Sequence, residues 1–116
     1  MDKFEQFEYI NELFEIYKNS LTAKQIDIMT KYYVYNLSLA EISEEEGVSR
    51  NAISDTIKHA RNKLINLEEN IHLYKKILLL KEELEKIKLT DEEKKRIIEV
   101  MYYGVWGIDR KISKNF

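Results

Sequence analysis

The side chains best suited to chemistry in this sequence form a polar set between residues 49 and 61. Arginine can bridge the edge of a guanine, asparagine the edge of an adenine, and serine can reach a phosphate. Their spacing fits the outward side of a helix whose inward side carries Ile53, Ile57 and Ala60. The pattern predicts a surface that contacts nucleic acid, formed by Ser49, Arg50, Asn51, Ser54, Asp55, Lys58 and Arg61.

Charge qualifies this prediction. Residues 49–63 carry four bases and one acid, but the segment just before them contains Glu41, Glu44, Glu45 and Glu46. Because phosphate contacts supply most nonspecific affinity, a near-neutral unit predicts weak, salt-sensitive binding by one copy. That favours a dimer or a target other than duplex DNA. An ordinary solvated helix face is the alternative that these charges leave open.

The element that would position this surface is a helix-turn-helix over residues 38–63, with its second helix in the major groove. Ser43 is the small residue where the two helices approach, and Gly47 stands where the turn needs a positive φ. Ser49 is a good cap for the second helix, and Ile53 would pack back onto the first. A bare helical hairpin with the same turn is the alternative. Glu46 occupies a position that is usually apolar in such motifs, which places it at the rim or weakens the packing.

The rest of the chain predicts an all-α fold, because it has no proline and three glycines. An apolar stripe predicts a first helix over 3–19. Capping boxes at Thr22, Ser38 and Thr90 predict three further helix starts. No residue obviously stops the helix that begins at Arg50 before 87–88, so we expect one helix of nearly forty residues there, with the last helix stopping at Gly104.

We therefore expect two parts in the chain. Residues 1–63 contain the helix-turn-helix, and residues 64–116 form a long helical arm with a final short helix. Apolar residues along the arm follow a heptad and then change register. The arm is therefore expected either to pack on the first part or to form a homodimer.

Several classes of function are disfavoured by composition. The sequence has no cysteine, and His59 and His72 lack the spacing of metal ligands, so we expect no metal or cofactor. No phosphate loop or nucleophile–base arrangement is present, which argues against an enzyme. The start lacks the features of a signal peptide, and no apolar run approaches the ~20 residues of a membrane span. A cytoplasmic protein without membrane insertion is expected.

The segment SLTAKQIDIMTKYYVYNLSLAEISEEEGVSRNAISDTIKHARNKL, residues 20–64, resembles the helix-turn-helix of sigma-factor region 4. It resembles more closely the YlxM family of small bacterial proteins, and residues 13–17 and 21–25 match the opening of that family. The likeness is specific over residues 13–64 and loose from there to about Ile87. The acidic run 44–46 departs from the family pattern and argues against tight duplex binding.

The resemblance implies a DNA-binding regulatory protein, linked to the signal recognition particle pathway mainly by gene neighbourhood, with DNA contacts on residues 49–58. The leading hypothesis is thus a dimeric helix-turn-helix regulator. The second is a non-catalytic module that binds the particle's GTPase or its RNA.

Overall fold

The computed structural model describes residues 1–102, and every regular element within that range is helical. The all-α prediction is confirmed. The chain forms two compact units, the first spanning Met1–Ile71 and the second beginning at His72. This division lies later than the predicted one between residues 63 and 64, and the role of the second part as a docked or dimerising arm stays a prediction.

The first unit consists of four α-helices and two short irregular helical segments. Helix α1 spans Lys3–Tyr17 and continues as a single 3₁₀ turn, Lys18–Ser20. Helix α2, Ala23–Met29, passes directly into a π-helical segment, Thr30–Val34, and α3 covers Leu39–Glu46. Helix α4 covers Arg50–Ile71 and packs on α1, α2 and α3, so it forms the centre of this unit.

Capping residues fix where these helices begin. The Thr22 side chain accepts a hydrogen bond from the Gln25 backbone N–H (3.1 Å), and the Gln25 side chain accepts one from the Thr22 N–H (3.0 Å). Ser38 and Glu41 form the same reciprocal pair at the start of α3. Such pairs satisfy backbone donors that a helix leaves without partners. Both predicted helix starts are confirmed.

The core of the first unit is made of the apolar residues that the helical spacing places inward. Leu13, Ile28, Met29, Ile42, Ile53 and Leu64 are fully buried, joined by Ile10, Phe14, Tyr17, Leu21, Tyr33, Ile57 and Ala60. One polar side chain enters this core. The carboxylate of Glu68, near the end of α4, accepts a 2.7 Å hydrogen bond from the Tyr17 hydroxyl of α1.

The second unit contains α5, Leu73–Glu85, which buries Ile77 and Leu84, and a helix α6 that is described over residues 91–102. Thr90 and Glu93 form the predicted capping box at the start of α6. The predicted stop at Gly104 lies outside the described residues.

The prediction of one continuous helix from Arg50 to 87–88 is wrong. Helix α4 ends at Ile71, and α5 begins at Leu73 after His72, which has a left-handed backbone (φ 57°, ψ 30°). The left-handed conformation is unfavourable for residues with a Cβ atom, and histidine, unlike glycine or proline, is not a usual signal for the end of a helix. The break therefore leaves no glycine or proline signal in the sequence.

Candidate nucleic-acid interface

The turn between α3 and α4 is built around Gly47 and Ser43. Gly47 ends α3 in the left-handed region (φ 67°, ψ 31°), as predicted. The Ser43 carbonyl accepts hydrogen bonds from the backbone N–H groups of Gly47 (2.9 Å) and Val48 (3.2 Å). The Ser43 hydroxyl donates back to the Val48 carbonyl. A small polar residue at position 43 thus both permits the close approach of the helices and holds the turn.

Ser49 then starts α4. Its hydroxyl oxygen accepts a hydrogen bond from the Ala52 N–H (3.1 Å), and its carbonyl accepts one from the Ile53 N–H (3.2 Å). This is the predicted N-cap. Ser49 is exposed, and its hydroxyl proton can still donate to an outside acceptor such as a phosphate oxygen.

The first two turns of α4 separate into an inward and an outward side. Ile53 and Ile57 are buried, whereas the five predicted contact residues that follow the cap are exposed. The outward side consists of Arg50, Asn51, Ser54, Asp55 and Lys58. We call these five residues with Ser49 the recognition face.

Arg61, the seventh predicted residue, belongs to a different environment. It is exposed, but it lines a cleft together with Tyr33 and residues of α1. Burial raises the pKa of the Tyr33 phenol, and the neighbouring Arg61 guanidinium opposes part of that rise. The structure therefore brings Ser49 to Lys58 together on one face and directs Arg61 towards the π-helical segment.

The acidic run before the turn is largely engaged within the protein. Lys31 of the π-helical segment forms ion pairs with Glu46 (2.7 Å), Glu45 (3.2 Å) and Asp27 (3.6 Å). These hydrogen bonds and charges hold the pKa of Lys31 above its ordinary value, and the bond to Lys31 lowers the pKa of Glu46. Glu46 is at the rim of the helix pair, which is the first of the two alternatives predicted from the sequence.

The other two acids of this segment, Glu41 and Glu44, differ in their surroundings. The Glu41 carboxylate accepts the Ser38 backbone N–H, and this hydrogen bond lowers the pKa of Glu41. Glu44 is exposed, and its side chain has no hydrogen bond or ion pair to residues of the described part of the chain. The acidic run thus offers less free negative charge beside the recognition face than its sequence indicates.

Sequence reasoning missed the partners of these groups. The Asp27–Lys31 spacing of four residues is a visible helix pair. Lys31 contacts Glu45 and Glu46 of another helix, and Arg61 contacts Tyr33 of another helical segment. Because these partners are far apart in the sequence, no local pattern predicted either contact.

None of the helices in the part of the chain that is described combines the length and apolar character that crossing a bilayer requires.

Comparison with known proteins agrees with this architecture. Residues 4–102 match the family UPF0122, described as "Putative helix-turn-helix protein, YlxM / p13 like". UPF0122 protein OB1530 of Oceanobacillus iheyensis is 45% identical over 85 residues, which are 73% of this chain and 81% of the relative. UPF0122 protein YofM of Lactococcus lactis is 40% identical over 93 residues, 78% of this chain and 84% of the relative. A UPF0122 protein of Mycoplasma capricolum is 35% identical over 97 residues, 84% of this chain and 86% of the relative.

The match spans both the helix-turn-helix and the helices that follow it, so it covers the recognition face and its supporting elements. The chain therefore belongs to the UPF0122 family of YlxM / p13-like helix-turn-helix proteins.

Proposed function

We propose that the protein binds duplex DNA through the recognition face and acts as a non-enzymatic regulator of transcription. The observation that carries the proposal is the exposure of six polar contact candidates, at the cap and along the outward side of the start of α4, whose opposite side is buried. Arg50 and Asn51 stand at the start of α4, where recognition helices contact base edges. A DNA target also fits the cytoplasmic location predicted from the sequence.

Each residue of the recognition face has a role in this proposal. Arg50 would bind a guanine edge and Asn51 an adenine edge, each worth ~1–3 kcal/mol of discrimination against the wrong base. Lys58 and Ser49 would bind phosphates and set the register on the duplex. Ser54 and Asp55 face the same side and would contact the groove between these anchors.

The test is a titration of the protein onto labelled duplex DNA at two salt concentrations. An Arg50→Ala/Lys58→Ala variant should lose duplex binding, and a single Lys58→Ala change should reduce the salt slope by about 1. A Lys63→Ala/Lys88→Ala variant removes the same charge from two exposed positions outside the recognition face and serves as the matched control. Equal affinity of the two double variants would contradict the proposal.

We infer further that the working form is a homodimer, because one recognition face carries few cations. The second unit supports this with exposed apolar side chains on α5, where Leu79 is 53% exposed, and at Ile87, which is 52% exposed. Two copies would present two recognition helices to half-sites ~34 Å apart. Sedimentation at micromolar concentration should give twice the monomer mass, and Leu79→Glu should return the protein to a monomer.

A second candidate function is a binding module for components of the signal recognition particle, either its GTPase or its RNA. The observation that favours it is charge: residues 1–71 carry thirteen acids and eight bases, an unusual balance for a duplex-binding unit. The same titration with the particle's RNA and its GTPase separates the two functions. Binding to either that is unaffected by Arg50→Ala/Lys58→Ala, without any duplex binding, would favour the second.

A further inference from the structure

A cleft of about 620 Å³ lies within the first unit, on a side of α4 that the proposed function does not use. It is bounded by the start of α1, by the π-helical segment and by the middle of α4. Its volume falls within the range of small-molecule sites in proteins. The lining residues that matter here are Lys3, Gln6, Phe7, Tyr32, Arg61 and Asn62.

The charge of this cleft differs from that of the surface around it. Helix α1 carries Glu5, Glu8, Glu12 and Glu15, yet the residues that line the cleft include two cations, Lys3 and Arg61, and no carboxylate. An anion in the cleft would face two positive groups, and no carboxylate belongs to its lining. Arginine in particular binds phosphate and carboxylate oxygens in pairs.

Aromatic rings form one wall of the cleft. The ring centroids of Phe7 and Tyr33 are 4.6 Å apart, those of Tyr32 and Tyr33 are 4.9 Å apart, and those of Phe7 and Tyr32 are 6.0 Å apart. Tyr33 is buried, while Phe7 and Tyr32 are half-buried and retain surface towards the cleft. Such rings provide a platform on which a planar heterocycle stacks.

A side-chain amide completes the set. Asn62 follows Arg61 on α4 and is exposed, and its side chain makes no hydrogen bond within residues 1–102. Its amide offers a donor and an acceptor side by side, the arrangement that matches the edge of a purine. The cleft thus combines cations that can bind a phosphate, aromatic rings on which a planar ring can stack, and an amide that can pair with a base edge.

We propose that this cleft binds a free purine nucleotide. The base stacks on Phe7 and Tyr32, its edge pairs with Asn62, and its phosphate binds Arg61 and Lys3. The site stands apart from the recognition face and does not depend on DNA binding. Because Arg61 and Asn62 lie on the same helix as Lys58, an occupied cleft would contact the element that carries the recognition face.

Calorimetric titration of the full chain with AMP and GMP tests the proposal, with guanosine, inorganic phosphate and benzoate as partial ligands. At least one nucleotide should bind ten-fold or more tightly than each partial ligand. Arg61→Ala should weaken nucleotide binding by ten-fold or more, whereas Lys63→Ala, the same charge loss outside the cleft, should change it less than two-fold. Asn62→Ala should weaken it several-fold and its matched control Asn66→Ala should not.

A second measurement requires no variant. In ¹H–¹⁵N spectra of the unaltered protein, added nucleotide should shift the amide signals of Gln6, Phe7, Tyr32 and Asn62 and leave that of Asn51 in place. Absence of binding by millimolar AMP and GMP, or shifts confined to the recognition face, would overturn the proposal. So would benzoate or phosphate binding as tightly as a nucleotide.

Discussion

Gly47 and His72 adopt nearly the same left-handed backbone at the end of a helix, and their surroundings differ. Gly47 (φ 67°, ψ 31°) separates α3 from α4, and His72 (φ 57°, ψ 30°) separates α4 from α5. Glycine adopts this conformation at no steric cost, whereas a residue with a Cβ atom pays ~1–2 kcal/mol. Glycine itself favours the break at position 47, whereas histidine at position 72 adopts the left-handed backbone against its own preference.

The flanking contacts explain how the second break persists. Before it, Leu64 and Glu68 are buried in the first unit, and after it, Ile77 and Leu84 are buried in the second. These buried side chains anchor the chain on both sides of His72. The His72 carbonyl accepts a 2.9 Å hydrogen bond from the Lys76 N–H and so begins α5, although its side chain makes no capping bond.

The largest effect should come from the buried contact that holds the last part of α4 to α1. Tyr17→Phe removes the donor to Glu68 and leaves a buried carboxyl oxygen with one fewer hydrogen bond, which should cost about 2 kcal/mol of unfolding free energy. Urea denaturation followed by circular dichroism measures it. Tyr35→Phe, at an exposed tyrosine, is the control and should be neutral. Equal stability of the two variants would show that this contact does not define the end of the first unit.

Gly47→Ala should destabilise the protein by about 1 to 2 kcal/mol. An added Cβ at this position would meet no atom within 4 Å, so the expected loss comes from the backbone alone. His72→Ala replaces one residue that has a Cβ atom by another, and it should lack this backbone penalty. Thermal unfolding of both variants gives the comparison, and a neutral Gly47→Ala variant would contradict it.

Ser49→Ala should cost about 1 kcal/mol, because α4 loses the side-chain acceptor for the Ala52 N–H. At the start of α5 no comparable side-chain bond exists to lose. Ser49→Asp keeps an acceptor and should retain the stability, which makes it the matched control. If Ser49→Ala and Ser49→Asp unfold at the same denaturant concentration, the cap is not a source of stability here.

His72→Gly should stabilise the break by at most about 1 kcal/mol, because relief of the left-handed strain is partly offset by the greater backbone entropy of glycine in the unfolded chain. His72→Asn, which tolerates this conformation better than histidine, should act in the same direction. Denaturation curves of both variants test this. A loss of stability in both would mean that the histidine side chain itself holds the break.

The smallest effect should be a change in the free energy of unfolding at acidic pH, to which the helix starts contribute differently. The pKa values of Glu41 and Glu93 are lowered from 4.5 by hydrogen bonds from Ser38 and Thr90. A lowered folded-state pKa gives stability that is present above pH 4.5 and is lost as the pH falls through the folded value. Helix α2 uses Gln25 in the same role and contributes no such dependence. Glu41→Gln should flatten the stability profile below pH 4.5, and an unchanged slope would contradict this assignment.

Much of the fold could be predicted because its signals are local. The capping boxes at Thr22, Ser38 and Thr90, the left-handed Gly47 and the Ser49 cap each depend on residues within one helical turn. The inward side of α4 follows from helical spacing alone. The prediction of contact residues rests on the same spacing.

Other features required distant parts of the chain to meet. The partners of Lys31 across the helix pair, the position of Arg61 in the cleft beside Tyr33, and the Tyr17–Glu68 contact all join residues far apart in the sequence. The sequence by itself determined where most helices begin and which of their sides face inward, because backbone capping and apolar periodicity act over a few residues. Only the tertiary structure decided that α4 ends at Ile71, because no glycine or proline at this point of the sequence favours the left-handed backbone of His72 that ends the helix.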